Sequence, residues 1–242
     1  MAKVIVISLD YDGCADILFD EVLNSGKFDA EFIQYRKTIF ENFLNKITEG
    51  YDVVEIYVGS NRQDVTLDEM GNNDNKNGFC FHNYEKLCVS KTWIFKKLLL
   101  ADATNKLPAE TSISNKSIKI ARNFWENNDF WKNEMLKNQF QSVIKDHPED
   151  TIDFYFIDDD FYNIRDVFNY FKQSRKRIPE NINFFLVQHQ WVKNGLECIK
   201  EYGNIRDIAS FESLLKNSFL SRGDIQIQMD VHERDSFKCS IL

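Results

Sequence analysis

VIVISLDYDGC, residues 4–14, is a run of aliphatic residues that ends in two aspartates, Asp10 and Asp12, and a glycine. The run is too short for a helix and rich in Val and Ile, so it predicts a strand buried on both faces. Ligands of open α/β sheets bind beyond the carboxyl ends of the strands, and alternation would point both aspartates the same way. Asp and Gly also favour turns, so this segment alone leaves a plain polar turn open.

The composition of the 242-residue chain is that of a large globular domain. Hydrophobic residues make up 43% of it, and no apolar run approaches the roughly 18–20 residues of a membrane span. The opening Met1–Lys3 leads directly into the first strand, so we expect no signal peptide. The formal net charge of −8 argues against a broad nucleic-acid-binding surface, because phosphate binding needs clustered cations.

The five cysteines are odd in number and form no Cys-x-x-Cys pair. We therefore expect neither a zinc site nor a disulfide framework. Free thiols fit a reducing compartment, so we expect a cytoplasmic protein.

Short apolar runs alternate with helical periodicities along the rest of the chain. The predicted strands after the first are Val53–Val58, Ile152–Ile157 and Ile182–Val187. The predicted helices are Phe32–Ile47, Leu136–Ile144, Tyr162–Phe171 and Ile205–Phe219. This alternation predicts an α/β fold with a Rossmann-like, doubly wound and mainly parallel sheet.

The segment of residues 63–129 is harder to place and predicts an insertion after the second strand. Residues 71–78, GNNDNKNG, favour an exposed turn. Residues 93–100 fit a strand or a buried helical turn equally well. We therefore expect a core over residues 1–222 that contains this insertion, followed by a C-terminal tail over residues 223–242.

Polar side chains follow three of the predicted strands at the point where each strand ends. The first strand is followed by Asp10 and Asp12, the second by Ser60, and the third by Asp158 and Asp159. The carboxyl ends of parallel strands meet at one edge of a sheet, so we expect these groups to share a site.

The order of these groups resembles the signature of the haloacid dehalogenase (HAD) superfamily. Most members of that superfamily are magnesium-dependent phosphohydrolases on a Rossmann-like sheet. The resemblance covers roughly residues 3–190 and consists of strand-Asp10-x-Asp12-Gly13, strand-Ser60, a lysine at a helix start, and strand-Asp158-Asp159.

The resemblance implies a role for each of the polar groups at the first two strand ends. Asp10 would attack phosphorus and form an aspartyl-phosphate. Asp12 would protonate the leaving oxygen and then activate water. Ser60 and the backbone N–H of Asn61 would hydrogen-bond the phosphoryl oxygens.

The resemblance also implies a Mg²⁺ cofactor, which suits a site of carboxylates, a carbonyl and waters. Its protein ligands would be the Asp10 carboxylate, the backbone carbonyl of Asp12, and an acid from Asp158 or Asp159. The ion would relieve repulsion between the nucleophile and the anionic phosphate.

Two basic residues, a lysine and an arginine, are assigned roles in phosphate binding, and each assignment has an alternative. Lys132 is chosen as the motif lysine, which would neutralise phosphoryl charge, because it opens the helix that leads into the third strand. Lys137 is the alternative, although a lysine on that helix is also expected on its solvated face. Arg62 would reach a substrate phosphate, or would be a plain surface arginine.

The expected activity is that of a phosphohydrolase acting through an aspartyl-phosphate. The context of Gly59–Gln63 and of the late Asp158-Asp159 is similar to HAD-like phosphatases among bacterial secreted effectors. That similarity implies a phosphotyrosine or phosphoserine protein substrate inside a host cell. A small-metabolite phosphatase, a phosphotransferase and a non-catalytic phosphate-binding module are the alternatives. Whether residues 63–129 form a small closing cap is left open.

The C-terminal residues Cys239–Leu242 match a C-a-a-X box, and a final Leu favours geranylgeranylation of Cys239. Prenylation would allow peripheral membrane association in a eukaryotic cytosol. A single lipid anchors weakly, and a chance cysteine near the chain end is the alternative reading.

Overall fold

The computed structural model describes residues 2–26, 29–63, 65–75, 78–98, 131–173, 177–190, 195–198 and 205–207. Cys239, the predicted tail, residues 64, 76–77 and 99–129 of the predicted insertion and residues 208–219 of the last predicted helix lie outside these ranges. No helix in the described part of the chain is long and apolar enough to cross a membrane.

The sheet is built on five parallel strands in the order β3-β2-β1-β4-β5. Their bounds, in chain order from β1 to β5, are Lys3–Leu9, Val53–Val58, Ile94–Lys96, Thr151–Asp158 and Ile182–Gln190. Two short strands, β6 (Gly195–Cys198, antiparallel) and β7 (Ile205–Asp207, parallel), both pair with β5. The prediction of an α/β fold with a mainly parallel sheet is confirmed, and the arrangement is compatible with a Rossmann-like fold.

Helices occupy the connections between the parallel strands. In chain order, α1 to α6 span Asp20–Asn24, Ala30–Thr48, Val65–Asn75, Cys80–Lys91, Trp131–Asp146 and Phe161–Lys172. The longest, α2, begins after Asp29, whose Oδ1 accepts from the backbone N–H groups of Glu31 and Phe32. Such a cap satisfies two amides at the helix start that have no partner within the helix.

Strand β1 is buried on both faces, as its continuous aliphatic sequence predicts. Ile5 and Ile7 join a core cluster that includes α2 and α4, whereas Val4 and Val6 join a second cluster with α5 and α6. Since successive strand residues point to opposite faces, the two helical layers lie on opposite sides of the sheet. The sheet is therefore doubly wound around β1 and β4.

The structure corrects the predicted secondary structure of two segments and decides between strand and helix for a third. Residues 71–75 are the last turn of α3, not an exposed turn, and the Asn72 side chain accepts from the Gly78 N–H. Residues 205–207 are β7 and not the start of a helix, because their backbone pairs in parallel with Phe184–Leu186 of β5. Of the segment 93–100, residues 94–96 form strand β3.

Candidate active site

The turn after β1 brings the first aspartates to the carboxyl edge of the sheet. The Asp10 N–H donates to the Ile157 carbonyl, which continues the pairing of β1 with β4, and the residue is 6% exposed. Gly13 follows at φ +74°, a conformation that favours glycine. A Cβ there would lie 2.7 Å from Oδ2 of Asp159, so glycine also makes room for the late acid.

The turn after β2 is fixed against β1. The Gly59 N–H donates to the Leu9 carbonyl, and a Cβ on Gly59 would lie 2.8 Å from the Leu9 backbone, so the close approach requires glycine. The Gln63 amide donates to the carbonyls of Val58 and Ser60 and holds the turn. Ser60 and Asn61 reach the pocket from this turn, as predicted.

The end of β4 supplies the late acids. Asp158 is fully buried, and its Oδ1 accepts from the Asp160 N–H at 2.9 Å and from Nδ2 of Asn163 at 3.1 Å. Asn163 lies in the first turn of α6 and lines the pocket. Sequence reasoning missed Asn163, although its position five residues after Asp158 on a predicted helix was a usable signal.

Lys132 lies between the acids of two strand ends. Its Nζ is 3.0 Å from Oδ1 of Asp10 and 2.7 Å from Oδ2 of Asp158, and it also donates to the Gly59 carbonyl. Burial opposes the charged form, but the two carboxylates outweigh burial and raise the pKa of Lys132. Lys137 instead pairs with Glu134 at 2.8 Å on the exposed face of α5. The structure therefore brings Lys132, and not Lys137, to the site.

Three carboxylates converge beside the ammonium of Lys132, which carries one positive charge. Asp10, Asp158 and Asp159 each offer one oxygen, and these oxygens lie within 4.8 Å of one another. Burial and then repulsion from Asp158 raise the pKa of Asp159 to about 7. Burial also raises the pKa of Asp10, partly opposed by Lys132 and reinforced by Asp158. A divalent ion would relieve this repulsion, and a cluster of carboxylate oxygens is the donor set that Mg²⁺ prefers. These residues therefore fit the predicted ion.

A pocket of about 440 Å³ lies beside the trio and is lined by two of its members, Asp10 and Asp159. The residues that line it come from all three strand ends and from α6, and they are Asp10, Asp12, Ser60, Asn61, Asp159, Asp160, Tyr162 and Asn163. The carboxylate of Asp12 is outside the trio, so a contribution of Asp12 to metal binding would come from its backbone carbonyl. Asp10, Asp12, Ser60 and Asp159 thus line one pocket, whereas Asp158 is buried next to it.

Arg62 occupies neither of its predicted places. It is 2% exposed, so it is not a surface arginine, and it does not line the pocket. Its guanidinium binds the Asp12 carboxylate with two hydrogen bonds and pairs with Asp68 at 3.0 Å. Burial opposes its charge, but the bonds to Asp12 and Asp68 raise the pKa of Arg62. Sequence reasoning missed Asp68 because it lies in α3, inside the segment that it could not place.

Comparisons of the chain with protein-family models, with curated proteins and with solved structures found no match in any of the three. A reaction can therefore be assigned only from the chemistry of the pocket residues.

Proposed function

We propose that this protein is a Mg²⁺-dependent phosphohydrolase of the HAD type that acts on phosphomonoesters through an aspartyl-phosphate. The observation that carries the proposal is the convergence of Asp10, Asp158 and Asp159 with Lys132 beside a pocket that also holds Ser60. A nucleophilic carboxylate, a cation site and phosphate-binding donors are the groups that phosphoryl transfer requires.

Asp10 forms the covalent intermediate in this proposal. Its carboxylate oxygen bonds to phosphorus while the bond from phosphorus to the leaving oxygen breaks. Lys132 holds the carboxylate through Oδ1 and offsets charge on the phosphoryl oxygens. A Mg²⁺ ion held by Asp10, Asp158 and Asp159 would lower the repulsion between the nucleophile and the phosphate.

Asp12 moves the protons in both half-reactions. It gives a proton to the leaving oxygen and later takes one from the water that attacks the aspartyl-phosphate. That attack breaks the bond between phosphorus and the Asp10 oxygen, releases inorganic phosphate and restores the carboxylate. The Ser60 hydroxyl and the Asn61 N–H hydrogen-bond the phosphoryl oxygens throughout.

Phosphoprotein side chains are the substrates we propose. Asn61 and Tyr162 line the pocket, and Tyr162 is 62% exposed with the Arg165 guanidinium 4.9 Å from its ring centroid, so an aromatic side chain with a cation beside it borders the pocket where a phosphopeptide would lie. A panel of phosphotyrosine and phosphoserine peptides against phosphosugars and nucleotides tests this choice. Higher kcat/KM for every small phosphate than for the peptides would contradict it.

Hydrolysis of 4-nitrophenyl phosphate with and without Mg²⁺ tests the reaction itself. We expect metal-dependent turnover that falls by about a thousandfold or more in Asp10→Asn. Asp166→Asn is the matched control, because Asp166 is a half-exposed residue of α6 that pairs with its neighbour Arg165 and does not line the pocket. Equal activity in Asp10→Asn and wild type would refute the nucleophile, and no turnover of any phosphomonoester would favour a phosphate-binding module.

A further inference from the structure

Arg62 binds Asp12 in the geometry that fixes a carboxylate most firmly. Nε donates to Oδ2 at 2.9 Å and Nη2 to Oδ1 at 2.5 Å, so the planar guanidinium and the carboxylate meet through two parallel bonds. Such a paired contact sets both the position and the rotation of the carboxylate, whereas a lysine offers only a point charge.

The guanidinium is itself anchored from its other side. Nη1 donates to Oδ1 of Asp68 at 3.0 Å and to the Gly78 carbonyl at 2.7 Å. Asp68 also accepts from the backbone N–H groups of Cys80 and Phe81 at the start of α4. Arg62 therefore connects the α3–α4 segment to the edge of the pocket.

Neighbouring groups of the β1 turn and of α3 pack closely against the Arg62 side chain. Tyr11 is the residue between the two aspartates, and the guanidinium carbon of Arg62 lies 4.6 Å from the centroid of its ring. On the other side α3 passes so close that a Cβ on Gly71 would lie 2.6 Å from Cζ and Nε of Arg62. The side chain is thus confined between the β1 turn and α3.

We infer that Arg62 is a positioning residue that orients the Asp12 carboxylate for proton transfer, and that the α3–α4 segment acts on the reaction through it. The inference rests on the proposed function, in which Asp12 activates the water that hydrolyses the aspartyl-phosphate. A misplacement of about 1 Å can cost about a hundredfold in rate, so a fixed carboxylate has a direct kinetic effect. Arg62 does not touch substrate in this account.

Gly71→Ala tests the inference without changing any group of the site. The added methyl must displace the Arg62 guanidinium, while alanine is a better helix former than glycine, so we expect α3 to persist. With 4-nitrophenyl phosphate, whose leaving group needs no proton, we expect the aspartyl-phosphate to form and its hydrolysis to slow by about tenfold or more. Rapid acid quench should then find a larger phosphorylated fraction than in wild type. Asn73→Ala, an exposed position of the same helix, is the control and should match wild type.

Arg62→Lys keeps the charge and removes the paired geometry, with Arg36→Lys on α2 as its control. We expect accumulation of the phosphoenzyme, an unchanged requirement for Mg²⁺ and no rise in KM. A rise in KM with kcat unchanged would show that Arg62 binds substrate and would overturn the inference. Unchanged kinetics per folded molecule in both Gly71→Ala and Arg62→Lys would show a purely structural role and would also overturn it. Failure of wild type to form any phosphoenzyme would instead refute the proposed function on which the inference rests.

Discussion

At the scale of the residue, the negative charges of the site outnumber the positive charge of the lysine beside them. The trio of Asp10, Asp158 and Asp159 would carry three negative charges when ionised, and Lys132 supplies one positive charge. The remaining two charges match those of a divalent ion. Burial and repulsion from Asp158 raise the pKa of Asp159 to about 7.

Lys132→Met should destabilise the metal-free protein and abolish turnover. Removing the ammonium leaves the buried carboxylates of Asp10 and Asp158 without their partner, a change that costs about 3–5 kcal/mol in other buried pairs. Urea unfolding in the presence of a chelator measures the free energy of unfolding, and 4-nitrophenyl phosphate measures turnover. Lys137→Met, at the exposed pair with Glu134, should change either quantity little. Equal effects of the two substitutions would contradict the assignment of Lys132.

Gly13→Ala should weaken Mg²⁺ binding by about tenfold or more, because its Cβ would displace the Asp159 carboxylate. Calorimetric titration with Mg²⁺ measures the affinity. Gly50→Ala is a matched control, since Gly50 shares φ +74° but has nothing within 4 Å of the added Cβ. Gly50→Ala should lower the free energy of unfolding and leave the Mg²⁺ affinity unchanged. A similar loss of Mg²⁺ affinity in both variants would show that backbone strain, and not displacement of Asp159, is the cause.

At the scale of the element, strand ends collect the functional groups. The bounds of β2 were predicted correctly because β-branched, aliphatic and aromatic residues flank its one charged residue, Glu55. Lys132 was chosen because it lies in the first turn of a recognisable helix. The last turn of α3 was not predictable, because packing on Arg62 overrides the turn preference of Gly and Asn. The contact between Arg62 and Asp68 depends on that packing, so periodicity alone could not supply it.

Asp29→Ala should destabilise α2 and leave the pocket chemistry unchanged. Oδ1 of Asp29 accepts two backbone N–H groups at the helix start, and loss of such a cap costs about 1 kcal/mol. Urea unfolding measures the loss, and Asp29→Asn, which keeps the acceptor, should change the free energy of unfolding by a few tenths of that amount. A full loss in Asp29→Asn would show that the charge, rather than the cap, stabilises α2.

At the scale of the whole molecule, burial on both faces of the sheet places a titratable group in the core. His189 of β5 is 2% exposed and lies with its ring centroid 3.9 Å from that of Phe40. Burial, followed by the charge of Arg36, lowers the pKa of His189 to about 3. The native state therefore keeps this imidazole neutral at any pH where the unfolded chain begins to protonate it.

His189 should contribute a loss of global stability as the pH falls from 6.5 toward 3, whereas the raised pKa of Asp159 acts in the opposite direction below pH 7. In the window from 6.5 to 3 the unfolded chain binds a proton at His189 and the native state does not, so the contribution of His189 to the free energy of unfolding decreases by up to about 1.4 kcal/mol per pH unit. Urea unfolding at pH 7, 6 and 5 measures the slope. His189→Gln should reduce it, whereas His82→Gln, at an exposed position of α4, should not. An unchanged slope in His189→Gln would contradict the neutral buried imidazole.

The most direct measurement is to identify the atom that accepts the phosphoryl group. Protein that is turning over 4-nitrophenyl phosphate with Mg²⁺ is quenched, reduced with borohydride and analysed by peptide mass spectrometry, since borohydride converts an aspartyl-phosphate to homoserine. We predict homoserine at position 10, formed only when Mg²⁺ is present. Modification at Asp12 or Asp158 instead, or sustained turnover with no modified aspartate, would contradict the account.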